Sequence, residues 1–314
     1  MKCRALAAFV SACLLVVAIA LVDWRWMSHG VYSIDPNDIH ECARELATLT
    51  IGTLLLFAVA SLPRYRALAQ PLRLREASIG ITWIVLMLAF GYVAVIFQYL
   101  CVTLNAPLLD STLVAFDRGL GFDWLGLYRW ETRHGMVFTL LNYIYLSYLP
   151  QIVLTLLIQC LCRQTARAAE FALLFMLSAL GVTLISARFP ASSPWLHFGL
   201  VGHYEASAVS YLYPLRDGLM KVLRTGHPQG LVSVPSLHTI AAVLLVYAVR
   251  GLPWLLPFSA MLNVAMIFSA LVTGGHYLAD IIAGLAFVTP LVLAARGVER
   301  ISIHGRHRPW AVTR

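Results

Sequence analysis

Two short polar stretches decide the fold, Ser233-Val234-Pro235-Ser236-Leu237-His238 and Gly274-Gly275-His276-Tyr277-Leu278-Ala279-Asp280. Between them lie two apolar segments, which are separated by Arg250-Gly251-Leu252-Pro253. A turn at that tetrapeptide predicts a helical hairpin that brings the two polar stretches to the same side. Imidazoles and a carboxylate are costly in so apolar a setting, so we expect them to have a function.

The first stretch has the composition of a helix start. Pro235 suits the first helical turn, and Ser233 or Ser236 suits the cap. The free N–H groups of that turn point toward the region of His238 and can hold an anion. The stretch therefore predicts a place where a phosphate group binds.

The second stretch predicts an oriented imidazole. Asp280 follows His276 by four residues, which on a helix puts both side chains on one face. The carboxylate can then accept the Nδ1 proton, so Nε2 is left as a lone-pair nucleophile. His238, returned to the same place by the hairpin, is the opposing general acid.

The composition excludes an ordinary soluble globule. Of the 314 residues, 60% are hydrophobic and only 12% are charged, and mean hydropathy is +0.78. These values are typical of a polytopic helical membrane protein, so we predict an all-α fold. The net charge of +8 does not indicate nucleic acid, because the basic residues lie in loops between apolar segments and in the C-terminal tail. Six cysteines show no metal-ligand spacing, and we expect neither disulfides nor a metal or other cofactor.

Eight apolar segments are candidates to cross the membrane, which takes roughly 17–25 residues each. They are Ala5–Val22, Glu45–Leu62, Ala77–Leu100, Met136–Leu161, Ala168–Ala187, His238–Val249, Trp254–Val272 and Tyr277–Ala295. The sixth is short unless it begins within 230–234. The first resembles a secretory signal peptide, but its length favours a membrane anchor.

The distribution of charge predicts the orientation of these segments. Arginines crowd the second, fourth and sixth connections and the C-terminal tail, which favours the cytoplasmic side for all of them. By parity, the long loops 103–135 and 188–230 and both histidine stretches face the periplasm or lumen. We expect a bacterial inner-membrane protein with a periplasmic-facing site. In the first long loop, 108–116 has helical periodicity and predicts either an interfacial helix or a loop packed over the other helices.

Pro-Ser-Leu-His at 235–238 and Gly-His-Tyr-x-x-Asp at 275–280, preceded by Phe-Pro-x-x-x-Pro-Trp at 189–195, resemble the type 2 phosphatidic acid phosphatase superfamily. The resemblance is closest to its inositol phosphorylceramide synthase branch and covers roughly 168–295. It implies a six-helix core, a nucleophilic His276 that forms a phosphohistidine, and Asp280 as its orienting partner. It also implies that His238 protonates the leaving group and later activates the acceptor.

The domain organisation follows from the spans and this resemblance. We expect 1–314 to form a single integral membrane domain with a catalytic core of about 77–296. Residues 1–76 add N-terminal helices, and 297–314 form a basic cytoplasmic tail.

The chain departs from the phosphatase pattern in its cations. The usual first motif, a Lys and an Arg seven residues apart followed by Pro, is absent, and Ala270 stands where an Arg precedes the histidine of the third motif. Other groups must then neutralise the negative charge of the phosphate. The predicted phosphate ligands are Arg188, Arg216, Lys221, Ser236 and Gly275.

Three hypotheses about function follow. The first is a lipid phosphotransferase that moves a phospho-headgroup, such as phosphoinositol, from a phospholipid donor to a lipid or polyol hydroxyl. The second is a phosphatase of lipid phosphates or polyprenyl diphosphates that uses the same residues with water as acceptor. The third is a transporter or structural membrane protein without this chemistry. Repeated halves and broken spans would favour a transporter, and the sequence shows neither.

Overall fold

Helices form nearly all regular structure in the computed structural model, which describes residues 2–203, 209–226 and 228–304. The helices are α1 Lys2–His29, α2 Pro36–Ser61, α3 Arg66–Ala69, α4 Leu74–Val102, α5 Asp110–Gly119, α6 Trp124–Arg133, α7 Gly135–Leu146, α8 Tyr148–Leu161, α9 Thr165–Arg188, α10 Pro194–His197, α11 Leu212–Arg216, α12 Leu237–Ala248, α13 Leu256–Val272 and α14 Leu278–His304. Short 3-10 helices cover Pro63–Tyr65 and Val249–Gly251. Two strands of two residues each, β1 Ser33–Ile34 and β2 Val222–Leu223, pair in parallel.

The prediction of an all-α polytopic membrane protein is confirmed. Within the described ranges, five helices are long and apolar enough to span a bilayer: α1, α2, α4, α9 and α14. The consecutive helices α7 and α8, which are bent by 44° at their junction, count as a sixth when the pair is taken as one span. The predicted sixth and seventh spans correspond to α12 and α13, which are apolar but shorter.

Several boundaries differ from the sequence-based prediction: α1 continues to His29, and α2 already begins at Pro36. The segment Met136–Leu161 was expected to be one continuous span, but it breaks at Ser147 between α7 and α8. Pro150 lies in the first turn of α8, where a proline removes a backbone donor and disfavours a continuous helix. At the C-terminus, α14 continues to His304 instead of ending near Ala295. The rest of the expected basic tail, 305–314, lies outside the described residues.

The core is built around α4, α9 and α12, with α8, α13 and α14 packed against them. Small residues allow close approach between these helices, as is common in membrane bundles. A Cβ at Gly181 on α9 would lie 2.9 Å from the ring of Phe287 on α14. One turn earlier on α14, Gly284 passes the start of α12, where an added Cβ would lie 2.9 Å from the carbonyl oxygen of Ser236. This close approach brings the starts of α12 and α14 together.

Each end of the bundle is stabilised by its own set of polar contacts. At the end that carries the histidines, pairing of β1 with β2 joins the first connection to the second long loop. Tyr99 at the end of α4 accepts the N–H of Gln229 in that loop at 2.8 Å. The first connection and the second long loop therefore lie on one side, as the parity argument requires.

The opposite end carries a network of charged side chains. Arg250 donates to Glu170 at 2.7 Å and to Glu299 at 3.1 Å, which ties the end of α12 to α9 and α14. The amide of Gln164 donates to the carbonyl of Gly251 at 2.9 Å. These contacts fix the arginine-rich end without reaching the histidines.

Candidate active site

The two predicted histidines meet at the ends of neighbouring helices. His238 is the second residue of α12, and His276 lies two residues before α14. Their ring centroids are 6.1 Å apart with the ring planes at 60°. The two imidazoles are therefore close neighbours in the structure.

Asp280 holds the His276 ring in one orientation. Its Oδ2 lies 3.2 Å from Nδ1 of His276 and also accepts the hydroxyl of Ser233 at 2.7 Å and the N–H of Tyr277 at 3.0 Å. Asp280 is fully buried, and His276 is 5% exposed. A carboxylate with these donors accepts the Nδ1 proton, so the Nε2 lone pair faces outward. No described residue forms a hydrogen bond with that Nε2.

The start of α12 differs in detail from the sequence-based prediction. Ser236 is the cap, and its Oγ accepts the N–H of Thr239 at 3.3 Å. Pro235 was expected in the first helical turn, but it precedes the cap, because α12 begins at Leu237. Ser236 is fully buried, and its N–H donates to the carbonyl of Asp280 at 3.1 Å. The cap thus joins the two motifs directly.

Sequence reasoning missed the aromatic surroundings of His238. The Tyr145 ring stacks on the imidazole with centroids 4.2 Å apart and planes at 24°. Tyr148 lies 4.8 Å away at 48°. These two tyrosines sit on either side of the α7–α8 break, whose only sequence signal was Pro150.

A hairpin formed by α5 and α6, residues 110–133, holds the segment around His276. The buried Asp110 accepts the hydroxyl of Tyr277 at 2.7 Å and the N–H and hydroxyl of Ser192 at 2.9 Å each. The buried Asp117 accepts the N–H groups of Leu278 and Ala279 at 2.9 Å each, which caps α14. Both carboxylates were missed, because their partners in the His276 segment lie more than 160 residues away along the chain.

The second helix of this hairpin contacts the other side of the same segment. The indole N–H of Trp124 donates to the carbonyls of Leu271 at 2.7 Å and His276 at 3.1 Å. Glu131, two turns after Trp124 on α6, accepts the hydroxyl of Thr273 at 3.2 Å. The histidine segment is therefore held at its beginning, middle and end by one hairpin.

Burial affects the pKa of two of these supporting carboxyl groups. Burial raises the pKa of Asp117, and the two backbone N–H donors from α14 oppose that rise. Burial also raises the pKa of Glu131, and the hydrogen bond from Thr273 opposes it. A carboxylate that accepts two N–H groups is favoured in its charged form, so Asp117 suits its role as a helix cap.

Comparison with known families shows to which family the chain belongs. The sequence model described as the PAP2 superfamily matches residues 111–294, more than half of the chain. The chain belongs to the PAP2 superfamily. Membership makes it an enzyme of the phosphatase and phosphotransferase type. Comparisons with curated proteins and with solved structures found no match. The matched range includes the α5–α6 hairpin from its second residue, both histidines and Asp280.

The predicted cationic ligands do not contact the PAP2 histidines. Arg188 is exposed, with its guanidinium 5.7 Å from the ring centroid of Phe189. Arg216 is half-buried and donates to the carbonyl of Ala106 at 2.9 Å. Burial lowers the pKa of this guanidinium, while Tyr213, Asp217 and Asp110 oppose the change. Lys221 is exposed in the second long loop. Their assignment as phosphate ligands stays a prediction.

Gly275 is constrained by an aromatic side chain. Its φ is +59°, in the left-handed region that favours glycine. An added Cβ would lie 2.9 Å from the indole of Trp195. The close approach at this glycine is therefore made by Trp195 of the Phe-Pro-x-x-x-Pro-Trp motif, which joins that motif to the His276 segment.

A cavity of about 320 Å³ opens beside the hairpin of this PAP2 enzyme. Its wall combines aromatic rings, aliphatic side chains and charged groups from α5, α6 and the loop after α10. The lining residues are Val114, Asp117, Arg118, Gly121, Phe122, Asp123, Trp124, Leu125 and Phe198. Asp117 and Trp124 line the cavity and also bind the His276 segment, whereas neither histidine lines it. Among the residues that the structure describes, no group of three His, Cys, Asp or Glu could hold a metal ion.

Proposed function

We propose that this protein is a membrane lipid phosphotransferase. It moves a phospho-headgroup, such as phosphoinositol, from a phospholipid donor to a lipid or polyol hydroxyl through a phosphohistidine at His276. The observation that carries the proposal is the hydrogen bond between Asp280 and Nδ1 of His276, with His238 facing the same space. This geometry supplies an oriented nucleophile and a separate acid within one site.

The first half of the reaction forms the covalent intermediate. Nε2 of His276 attacks the phosphorus of the donor, and the bond from phosphorus to the lipid oxygen breaks. That oxygen leaves with the proton of the His238 imidazolium, so the released product is a neutral alcohol. Asp280 stabilises the positive charge that develops on the His276 ring.

The second half transfers the group to the acceptor. Neutral His238 now takes the proton of the acceptor hydroxyl, and the acceptor oxygen attacks the phosphorus. The bond between phosphorus and Nε2 breaks, which returns the electron pair to His276. Both histidines end in their starting protonation states, so the cycle needs no oxidant, metal or other cofactor.

The short α12 supports a lipid donor. A helix of 12 residues is about 18 Å long, well below the roughly 30 Å of the hydrocarbon core. With Arg250 at the cytoplasmic end of this hairpin, His238 at the start of α12 lies within the thickness of the bilayer, below the outer lipid phosphates. A phospholipid needs little displacement from the membrane to reach this position.

The alternative is a phosphatase that uses the same three residues with water as acceptor. Family membership supports either enzyme and disfavours a transporter or structural protein without chemistry. The cavity at the α5–α6 hairpin favours the transferase, because its volume suits a bound acceptor alcohol. A pure hydrolase needs room only for water at this stage.

The deciding assay uses purified protein in phospholipid vesicles that contain headgroup-labelled donors. We expect label to move from phosphatidylinositol to an added lipid or polyol alcohol in excess EDTA. The products are separated by mass. Free phosphate as the only labelled product, in the presence of the alcohol, would establish the phosphatase instead. Loss of activity in EDTA with recovery on addition of a divalent ion would contradict the metal-free mechanism.

Filling the cavity tests whether it holds the acceptor. Leu125→Trp should reduce transfer to the alcohol at least tenfold, because the added indole occupies the acceptor's place. Formation of phosphohistidine and its slow hydrolysis should continue at rates close to those of the parent. The measurement is the ratio of transfer product to hydrolysis product.

The matched control is Arg129→Trp, which places the same indole on an exposed position of α6. This control should keep the parent ratio. Equal loss of transfer and hydrolysis in Leu125→Trp would show that the substitution damages the histidine segment and that the cavity does not select the acceptor.

We also propose that the site faces the periplasm or lumen. The arginine-rich end of the bundle is opposite to the histidines, and arginine-rich connections favour the cytoplasm. In a cysteine-free background, His203→Cys should react with a membrane-impermeant maleimide added outside intact cells. Gln70→Cys, exposed at the arginine-rich end, should react only after the membrane is opened. The reverse pattern would place the chemistry in the cytosol.

A further inference from the structure

The break between α7 and α8 presents two tyrosines to His238. Tyr145 is the second-last residue of α7, Tyr148 is the first residue of α8, and Ser147 lies between the helices. In a straight helix, side chains three residues apart point in similar but not identical directions. The 44° bend instead lets both rings contact one imidazole, at 4.2 and 4.8 Å.

The break is held in place by polar contacts of its own. Ser147 donates to the carbonyl of Ile144 at 2.6 Å and accepts the amide N–H of Gln151 at 2.9 Å. The other end of the Gln151 amide accepts from Asn263 on α13 at 2.9 Å. These bonds connect the bend to α13, which leads directly into the His276 segment. The bend is thus a fixed part of the structure around the site.

Tyr145 also contacts the turn that carries the nucleophile. A Cβ added at Gly274 would lie 2.7 Å from the Tyr145 ring, so this ring fills the space that the glycine leaves. Its hydroxyl is 3.5 Å from Nδ1 of His238, at the limit of a hydrogen bond. The stacked ring face is therefore the more extensive contact with His238.

We propose that Tyr145 is a positioning residue for His238, and that its stacked ring stabilises the imidazolium form that protonates the leaving group. The ring does so because the face of an aromatic side chain attracts a cation, most strongly where water is excluded. Tyr148 closes a second side of the same imidazole. This inference rests on the proposed role of His238 as the acid, and it adds a residue outside the histidine and aspartate motifs.

The groups that face His238 are few. The His276 ring lies beside it with centroids 6.1 Å apart, and a positive charge on one imidazole disfavours a positive charge on the other. Tyr145 and Tyr148 are the aromatic rings stacked or tilted against it. Among the described residues, no carboxylate forms a hydrogen bond or ion pair with His238. The stacked tyrosine is thus the nearest described group that favours the cationic form.

The test varies the leaving group. Tyr145→Leu removes the aromatic face, so transfer from a phospholipid, whose alcohol leaving group needs a proton, should slow by about 30-fold. Transfer from the 4-nitrophenyl ester of the same headgroup should change by less than threefold, because nitrophenolate leaves without a proton. Tyr145→Phe keeps the ring face and should retain at least one third of the parent rate with both donors.

Tyr143→Leu is the control, since Tyr143 is on the same helix but 68% exposed. It should behave as the parent with both donors. Equal slowing of both donors in Tyr145→Leu would identify a structural role and overturn the proposal. A rate within threefold of the parent with the phospholipid would overturn it as well.

Two donor pairs keep this inference separate from the proposed transfer reaction. The first pair is phosphatidylinositol with 4-nitrophenyl phosphoinositol, and the second is phosphatidate with 4-nitrophenyl phosphate. If the parent uses only the second pair, with water as acceptor, the proposed transferase function fails. The leaving-group comparison in Tyr145→Leu is then made on that hydrolysis, where the same pattern supports the role of Tyr145 and an equal loss rejects it.

Discussion

His276→Ala should abolish phosphohistidine formation and reduce transfer to background, whereas His238→Ala should leave the intermediate detectable. The imidazole of His276 is the attacking group, and its removal eliminates the covalent route. Loss of a general acid costs about 10²–10⁴ in rate, so His238→Ala still forms the intermediate slowly and more readily from a donor with a good leaving group. The measurement is acid-labile, base-stable label on denatured protein after brief exposure to a phosphorus-labelled donor.

His197→Ala is a matched control for this pair. His197 is exposed, and its nearest ring contacts are with Phe198 at 5.1 Å and Tyr277 at 6.5 Å. Its removal leaves the reacting histidines in place, so labelling should match the parent. Label that persists in His276→Ala, or activity in that variant within tenfold of the parent, would rule out the assignment of the nucleophile.

The sequence alone predicted the contacts in this site between residues that are close together in the chain. His276 and Asp280 are four residues apart, and the predicted contact is present at 3.2 Å, although His276 precedes α14 and does not lie on its face as expected. The approach of His238 to His276 followed from two apolar segments joined by a turn. Ser236 as a cap was one of two alternatives that the sequence left open. Hydrophobic spans and local spacing are strong signals in a chain with so few polar residues.

The supporting groups could not be predicted in this way. Asp110 and Asp117 contact the His276 segment from a different part of the chain, and no periodicity relates such positions. Tyr145 appeared as one more aromatic residue in an apolar span, because its role depends on the bend at Ser147. The long loops carry the predicted cations, but sequence order does not give the direction of a side chain such as Arg188, which the structure places over Phe189.

Asp280→Asn should reduce transfer by about 10⁴-fold while the protein remains folded. The amide keeps the shape of the carboxylate, but it loses the negative charge that stabilises the phosphorylated His276 ring. It also no longer fixes the proton on Nδ1, so part of the imidazole adopts the tautomer in which Nε2 carries hydrogen and cannot attack. An equivalent change in a Ser-His-Asp triad has an effect of this size.

Ser233→Ala weakens the hydrogen-bond network around Asp280 but keeps the negative charge of its carboxylate. Ser233 donates to the same Oδ2 at 2.7 Å, and its loss leaves the carboxylate with the N–H of Tyr277 and Nδ1 of His276. We therefore expect Ser233→Ala to lower the rate by less than tenfold, because the charge and the His276 tautomer are retained. Single-turnover rates of phosphohistidine formation measure both variants. Comparable losses in the two would show that the network as a whole, and not the Asp280 charge, orients the nucleophile.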